Sequence, residues 1–165
     1  MVMSEPSADI RHPGVFAEKT PERPAVIFGT SGAMLSFAEL EALSNQFAHL
    51  LREIGVARGD RVAVLLENHL MYLALAWGAF RSGARFVAIA THLSPDEVDY
   101  ILADSGASVI VTSKAMAGNA SRARMDEIPV ANRFMLDSVE PGFVGMEPAL
   151  NRQPTTPIAD QAEGV

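Results

Sequence analysis

Three short, almost wholly apolar runs, Val62-Ala63-Val64-Leu65-Leu66, Phe86-Val87-Ala88-Ile89 and Val109-Ile110-Val111, recur through the middle of the chain with a helix-patterned segment between each pair. A strand that is apolar at every position, not only at alternate ones, is buried on both faces. The runs begin about 20 to 25 residues apart, room for one crossover helix and its loops, so successive strands lie parallel with right-handed connections. The pattern predicts an α/β fold: a mostly parallel open sheet with helices on both faces.

The helix signals between the runs are local. Ser36 with Glu39 makes a capping box, and Phe37, Leu40, Leu43, Phe47, Leu50, Leu51 and Ile54 keep one apolar stripe until Gly55 ends the helix. Asn68 is placed to cap the next helix, whose apolar body covers 70–80, runs to about Ser82 and stops at Gly83. Ser94-Pro95-Asp96-Glu97 combines an N-cap, proline at the first helical position and acidic side chains against the positive end of the helix dipole. Val98, Ile101 and Leu102 form that helix's inner face and Gly106 closes it. Residues 114–127 give a weaker helix, and Arg133-Phe134-Met135-Leu136 a further strand.

Upstream, Ala25-Val26-Ile27-Phe28 and Ala33-Met34-Leu35 flank Gly29-Thr30-Ser31-Gly32, which reads as an N-terminal β-hairpin with positive φ supplied by the glycines at each end of the gap. A phosphate-cradling loop would need Gly-Lys-Ser/Thr and a following helix, and this segment has neither. After Ser138 the periodicity fails, and Pro141, Pro148, Pro154 and Pro157 predict a linker or tail.

Composition narrows the function classes. A net charge of -7 argues against a non-specific grip on nucleic acid or anionic lipid, both of which need a positive surface, while 165 residues at 48% apolar suffice for a core. The absence of cysteine excludes disulfides, thiolate zinc sites and a cysteine nucleophile. The four histidines, at 12, 49, 69 and 92, lack the close spacing of a helical metal pair, so the spacing predicts no metal site. The apolar window 70–80 is well short of the roughly 20 residues of a membrane-spanning helix. The first residues carry Glu5, Asp9 and Arg11 without an apolar run, so no secretory signal is expected and a cytoplasmic location is.

Local chemistry is sparse. No strand is followed by Gly-x-Gly-x-x-Gly, and no Gly-x-Ser-x-Gly stands at a strand-to-helix turn. Glu67, at the carboxyl end of its strand, is a candidate general base, though most such charges are solvated loop residues. Trp77 could stack on a ring, but inside an apolar helix it reads first as packing.

The order of segments between Thr20 and Ser113 resembles the N-terminal region of the adenylate-forming enzymes, the acyl-CoA synthetases in particular. The residues that carry it are Leu35-Ser36-Phe37-Ala38-Glu39-Leu40, Leu50-Leu51-Arg52-Glu53-Ile54-Gly55-Val56 and Arg58-Gly59-Asp60-Arg61-Val62-Ala63-Val64. They continue through Glu67-Asn68, Trp77-Gly78-Ala79-Phe80-Arg81-Ser82-Gly83-Ala84 and His92-Leu93-Ser94-Pro95-Asp96-Glu97-Val98. Arg81-Ser82-Gly83 and Thr91-His92-Leu93 resemble a fatty-acyl branch, although commoner members carry proline in the strand before that loop where this chain has Ile89-Ala90.

The resemblance implies a division into an N-terminal arm with a first helix (1–19), an α/β subdomain of a larger AMP-binding domain (20–137) and a Pro-rich linker (138–165). In the family a Ser/Thr/Gly-rich phosphate loop follows a segment similar to 157–165, so the resemblance places that loop and the catalytic residues beyond Val165 and makes this chain an inactive fragment. The intact enzyme would join a carboxylic acid, fatty in the nearest branch, to CoA through acyl-AMP, using ATP and Mg2+. No cofactor is expected on these residues alone, and the uncovered face of a missing partner subdomain would favour self-association. Thr91 and His92 match a loop that borders the CoA channel in that family, and offer a hydroxyl and an imidazole to phosphate or pantetheine oxygens. The rival readings are an independent α/β binding or oligomerisation module, and another adenylate-forming enzyme such as an aryl-acid ligase or a carrier-protein-loading domain.

Overall fold

The apolar runs pair as their pattern demands. The computed structural model describes residues 13–120 and 125–161. Its elements are α1 (Pro13–Lys19), β1 (Pro24–Ile27), β2 (Met34–Ser36), α2 (Phe37–Glu53), β3 (Arg61–Leu65), α3 (Tyr72–Arg81) and β4 (Arg85–Ala88), followed by α4 (Pro95–Ser105), β5 (Val109–Ser113), α5 (Ala117–Ala120), β6 (Arg133–Leu136), β7 (Val144–Gly145) and α6 (Met146–Leu150). Strands β3 to β7 form one sheet in the order β4-β3-β5-β6-β7, every pairing parallel.

Because successive side chains of a strand point to opposite faces, each central strand feeds two cores. Val62, Val64, Val109, Val111, Phe134 and Leu136 meet Phe47, Leu51 and Leu75 with Met146 and Leu150. Ala63, Leu65, Ile110 and Met135 meet Val98, Leu102 and Ala120 on the other side. The result is an α/β/α sandwich, with α2, α3 and α6 on one face and α4 and α5 on the other. The hairpin β1-β2 is a separate antiparallel pair.

The capping box predicted at Ser36 is present and the N-cap at Ser94 is a box as well: Ser36 Oγ and Ser94 Oγ accept from the amides of Glu39 and Glu97, whose carboxylates accept from the serine amides in return. In the hairpin turn the Gly32 amide donates to the Phe28 carbonyl, and only Gly32 adopts positive φ, at 71°.

Beyond Gly29, which does not take the positive φ expected of it, four expectations need correction. Asn68 does not cap α3, which starts at Tyr72 with no side-chain cap; it is His69 Nδ1, 3.1 Å from the Met71 amide, that serves the helix entry. The run 86–89 is not a doubly buried strand, because β4 lies at the sheet edge with Arg85 and Ala88 exposed. The helix foreseen over 114–127 is a 3-10 turn at Lys114–Met116 and the single turn of α5; residues 121–124 lie outside the described residues, as do 1–12 and 162–165.

The fourth is the linker after Ser138. It contributes β7 and α6, buries Met146, Ala149, Leu150 and Ile158, and returns over α2 as an irregular strap of turns and bends. Prolines there set turns and stop helices without preventing packing. A row of α2 side chains reads the strap: Asn45 Nδ2 donates to the Thr155 carbonyl at 2.8 Å, Gln46 Nε2 to Gln153 O at 3.3 Å, and His49 Nε2 lies 2.9 Å from Thr156 O. Arg52 pairs with Asp160, and Arg81 Nη1 donates to Gln161 Oε1 at 3.3 Å.

Candidate functional site

Parallel strands bring their carboxyl ends to one edge of the sheet, the edge where open α/β folds gather ligands. Here the ends of β3, β5 and β6 bring together Glu67 and His69, Ser113, and Asp137. Ser113 is fully buried, and its hydroxyl donates to Glu67 Oε2 at 2.6 Å. His69 Nε2 lies 3.2 Å from Asp137 Oδ2. Asp137 itself adopts a left-handed backbone, φ 62°, and its amide donates to Glu147 Oε1 at 2.8 Å. Aspartate is among the few side chains that tolerate this region, and such outliers concentrate where the surrounding structure over-determines them.

The hydrogen bonds fix the imidazole's tautomer. Nδ1 accepts from the Met71 amide, so the ring proton lies on Nε2 and is donated to Asp137. With both nitrogens engaged, His69 in this arrangement has none left for a substrate proton. Glu67 keeps one oxygen outside the Ser113 bond, so the proposed general base sits in a polar cluster more organised than a solvated loop.

Thr91 and His92 form the turn that follows β4, at the same sheet edge and one strand along from Glu67. Thr91 is half-buried and His92 exposed, and neither side chain hydrogen-bonds another described residue. The structure thus places both at the predicted edge without joining them to the cluster. Trp77 is part of an aromatic series: it meets Phe80 edge-on with ring centroids 6.0 Å apart, and Phe80 in turn lies 6.3 Å from Phe86 of β4.

The charged groups on the α2–α3 side are committed to one another. Arg81 is 2% exposed; its Nη1 donates to Glu41 Oε1 at 2.9 Å and Asn45 Oδ1 at 2.8 Å, and its Nη2 to the other Glu41 oxygen. Arg52 donates to the carbonyls of Val56 and Ser82 as well as to Asp160, whose carboxyl the guanidinium hydrogen bond holds below its usual value. The open groove between α4 and residues 125–128 is lined by Asp96, Asp99, Asp126 and Glu127, a setting that repels an anionic substrate.

Sequence reasoning missed Ser113, Asp137 and Glu147. Only a Glu-x-His at the end of a buried strand was available to signal the cluster, since its partners come from strands far along the chain.

A family model described as AMP-binding enzyme matches residues 15–158. The chain is similar to the long-chain-fatty-acid–CoA ligase FadD13 of Mycobacterium tuberculosis, 37% identical over 95 residues, which cover 58% of this chain and 19% of the relative. It is similar to a feruloyl-CoA synthase of an Amycolatopsis species, 42% identical over 95 residues with the same coverage of 58% and 19%. Among solved structures, a Mycobacterium tuberculosis fatty acyl CoA synthetase superposes with a TM-score of 0.74 at 29% identity, covering 90% of this chain and 29% of that one. The chain thus spans about a fifth of the length of these curated relatives.

Proposed function

The chain belongs to the AMP-binding enzyme family, and on that premise we propose that it forms one α/β layer of an ATP-dependent acyl-CoA synthetase, an acid–thiol ligase. In the proposed reaction a carboxylate oxygen attacks the α-phosphorus of ATP, releasing pyrophosphate and leaving acyl-AMP. The CoA thiolate then attacks the acyl carbon and AMP departs with its electron pair. Activation is needed because a carboxylate is a poor electrophile, whereas AMP leaves readily.

The described residues do not fit a triphosphate with its Mg2+. Arg81 and Arg52 are tied to Glu41 and Asp160, and no glycine-rich loop opens a helix. We therefore assign the nucleotide chemistry to parts of the enzyme outside the matched region, and to this layer the role of scaffold. Thr91 and His92 are assigned to the border of the CoA channel, where hydroxyl and imidazole can donate to phosphate or pantetheine oxygens. A fatty acid is the substrate favoured by the likeness to FadD13; the feruloyl-CoA synthase, at higher identity, supports an aryl acid as the second reading. No helix among the described residues is long and apolar enough to cross a membrane, and a cytoplasmic location is part of the proposal.

The observation that carries this reading is the family match across nearly the whole chain. Its test is acid-dependent exchange of pyrophosphate into ATP, followed by thioester formation, by the enzyme containing this layer, with fatty and aryl acids compared. The 165-residue chain alone should give no exchange above a heat-killed control. Exchange by that chain, or none by the enzyme with any acid, would sink the proposal. The isolated layer should also self-associate, since Ile27 and Met34 pair across the hairpin at 65% and 59% exposure; a strictly monomeric chain in light scattering would count against it.

A further inference from the structure

The cluster at the carboxyl edge has a property that neither the scaffold nor the ligase reading uses. A carboxylate oxygen of Glu67, one of Asp137 and a ring nitrogen of His69 lie within 4.8 Å of one another. Glu147 adds a third carboxylate on the Asp137 amide. Among the described residues, no lysine or arginine makes an ion pair with any of the three, and His69 is the one basic side chain paired there. The cluster therefore holds an excess of negative charge around an imidazole nitrogen, open to solvent on the Asp137 side.

We propose that this cluster binds one divalent transition-metal ion of the zinc class, ligated by Glu67, His69 Nε2 and Asp137, with water completing the shell. Two carboxylate oxygens and one imidazole suit Zn2+, Co2+ or Ni2+, whereas Mg2+ and Ca2+ prefer oxygen throughout. Metal–ligand bonds of about 2.0–2.2 Å put ligand atoms roughly 3.4 Å apart in a tetrahedral shell. The His69–Asp137 contact, at 3.2 Å, is already at that spacing, so the adjustment falls mainly on Glu67. In the proposed site the Glu67 oxygen outside the Ser113 bond would take the ion while Ser113 holds the other, the kind of outer support that orients a ligating carboxylate.

Binding has a distinct signature. The metal replaces the proton on Nε2, so the neutral ring must carry its proton on Nδ1. The Met71 amide, which now donates to Nδ1, then loses its acceptor and turns to water at the head of α3. The site is separate from the Mg2+ that accompanies ATP in the proposed reaction and does not depend on that reading.

The test is calorimetric titration of Zn2+ into the chain, with Co2+ as an optical probe and proton–nitrogen spectra following the His69 ring and the Met71 amide. One saturable site is expected, with both signals moving together and excess Mg2+ failing to compete. Glu67→Gln retains an acceptor for Ser113, and Asp137→Asn retains a residue that tolerates left-handed backbone, so both variants keep the fold. Each should weaken Zn2+ binding about tenfold or more. No saturable binding by the unaltered chain, undiminished binding by both variants, a static Met71 amide, or displacement by Mg2+ would overturn the proposal.

Discussion

Gly78 and Phe47 meet where α3 crosses α2, so closely that a Cβ on Gly78 would stand 2.8 Å from both Phe47 Cβ and Cδ1. The same atom would lie 2.8 Å from the Ser44 carbonyl oxygen, a backbone group that cannot swing aside. Alanine is the better helix former by about 1 kcal/mol, but forcing these helices apart costs about 1–3 kcal/mol. Gly78→Ala should therefore lower the urea midpoint, whereas Gly118→Ala, with nothing within 4 Å of its Cβ, should leave it level or raise it. Equal shifts in the two variants would show that the crossing is not set by Gly78.

The capping boxes give stability a pH dependence. Backbone hydrogen bonds from Ser36 and Ser94, followed by those from their hydroxyls, hold the Glu39 and Glu97 carboxyls below the ordinary glutamate value. A carboxyl depressed in the folded state contributes stability that is complete above its unfolded value and is lost as pH falls through the lower folded value. Denaturant midpoints should therefore decline on acidification through that window, and less steeply in the Ser36→Ala, Ser94→Ala double variant. At neutral pH Ser36→Ala alone should cost about 1 kcal/mol. A double variant with an unaltered acid slope would remove the serine hydroxyls from the account and leave the slope to the backbone bonds, which alanine keeps.

Arg52 and Asp160 form one ion pair, yet their replacements should differ. Arg52 also supplies the donors for the Val56 and Ser82 carbonyls, and leaving part-buried acceptors unpaired costs about 1–3 kcal/mol. Asp160 is exposed, so Asp160→Asn should cost less, and less still at high salt. Hydrogen exchange over residues 153–161 should rise in both. If Asp160→Asn destabilises as much as Arg52→Ala, the pair itself and not the carbonyls anchors the strap.

In the proposed enzyme, replacing Thr91 and His92 together by alanine should slow thioester formation several-fold and leave acyl-AMP formation nearly intact. The two half-reactions are measured separately, by thioester release and by pyrophosphate exchange. Equal losses would indicate misfolding, and no loss in either would return both residues to shaping the turn before α4.

What the sequence made legible follows the range of the forces involved. The boxes at Ser36 and Ser94 and the apolar strands are written in neighbouring residues, so α2, α4, β3 and β5 could be read directly. Asn68 misled because an N-cap signal three residues early competes with the turn that His69 makes, and only the backbone between them decides. The strap was illegible because its partners, Asn45, His49 and Arg52, look like solvated helix residues until residues 153–161 are laid over them. The same holds for the edge cluster: Glu67 and His69 are close in sequence, but Ser113 and Asp137 join them only once the strands are ordered.

The strap also sets an order on synthesis. His49 waits for a partner 107 residues further along the chain. At a ribosomal rate of about 5–20 residues per second, the polar row on α2 stays unmatched for roughly 5–20 s after it emerges. During that interval the buried Arg81–Glu41 pair and the Phe47–Gly78 crossing of α2 with α3 can already form, since both lie far upstream of the strap. The nascent chain should thus pass through a stage with its first layers packed and one face of α2 unsealed, when a chaperone or an early-cutting protease would find it.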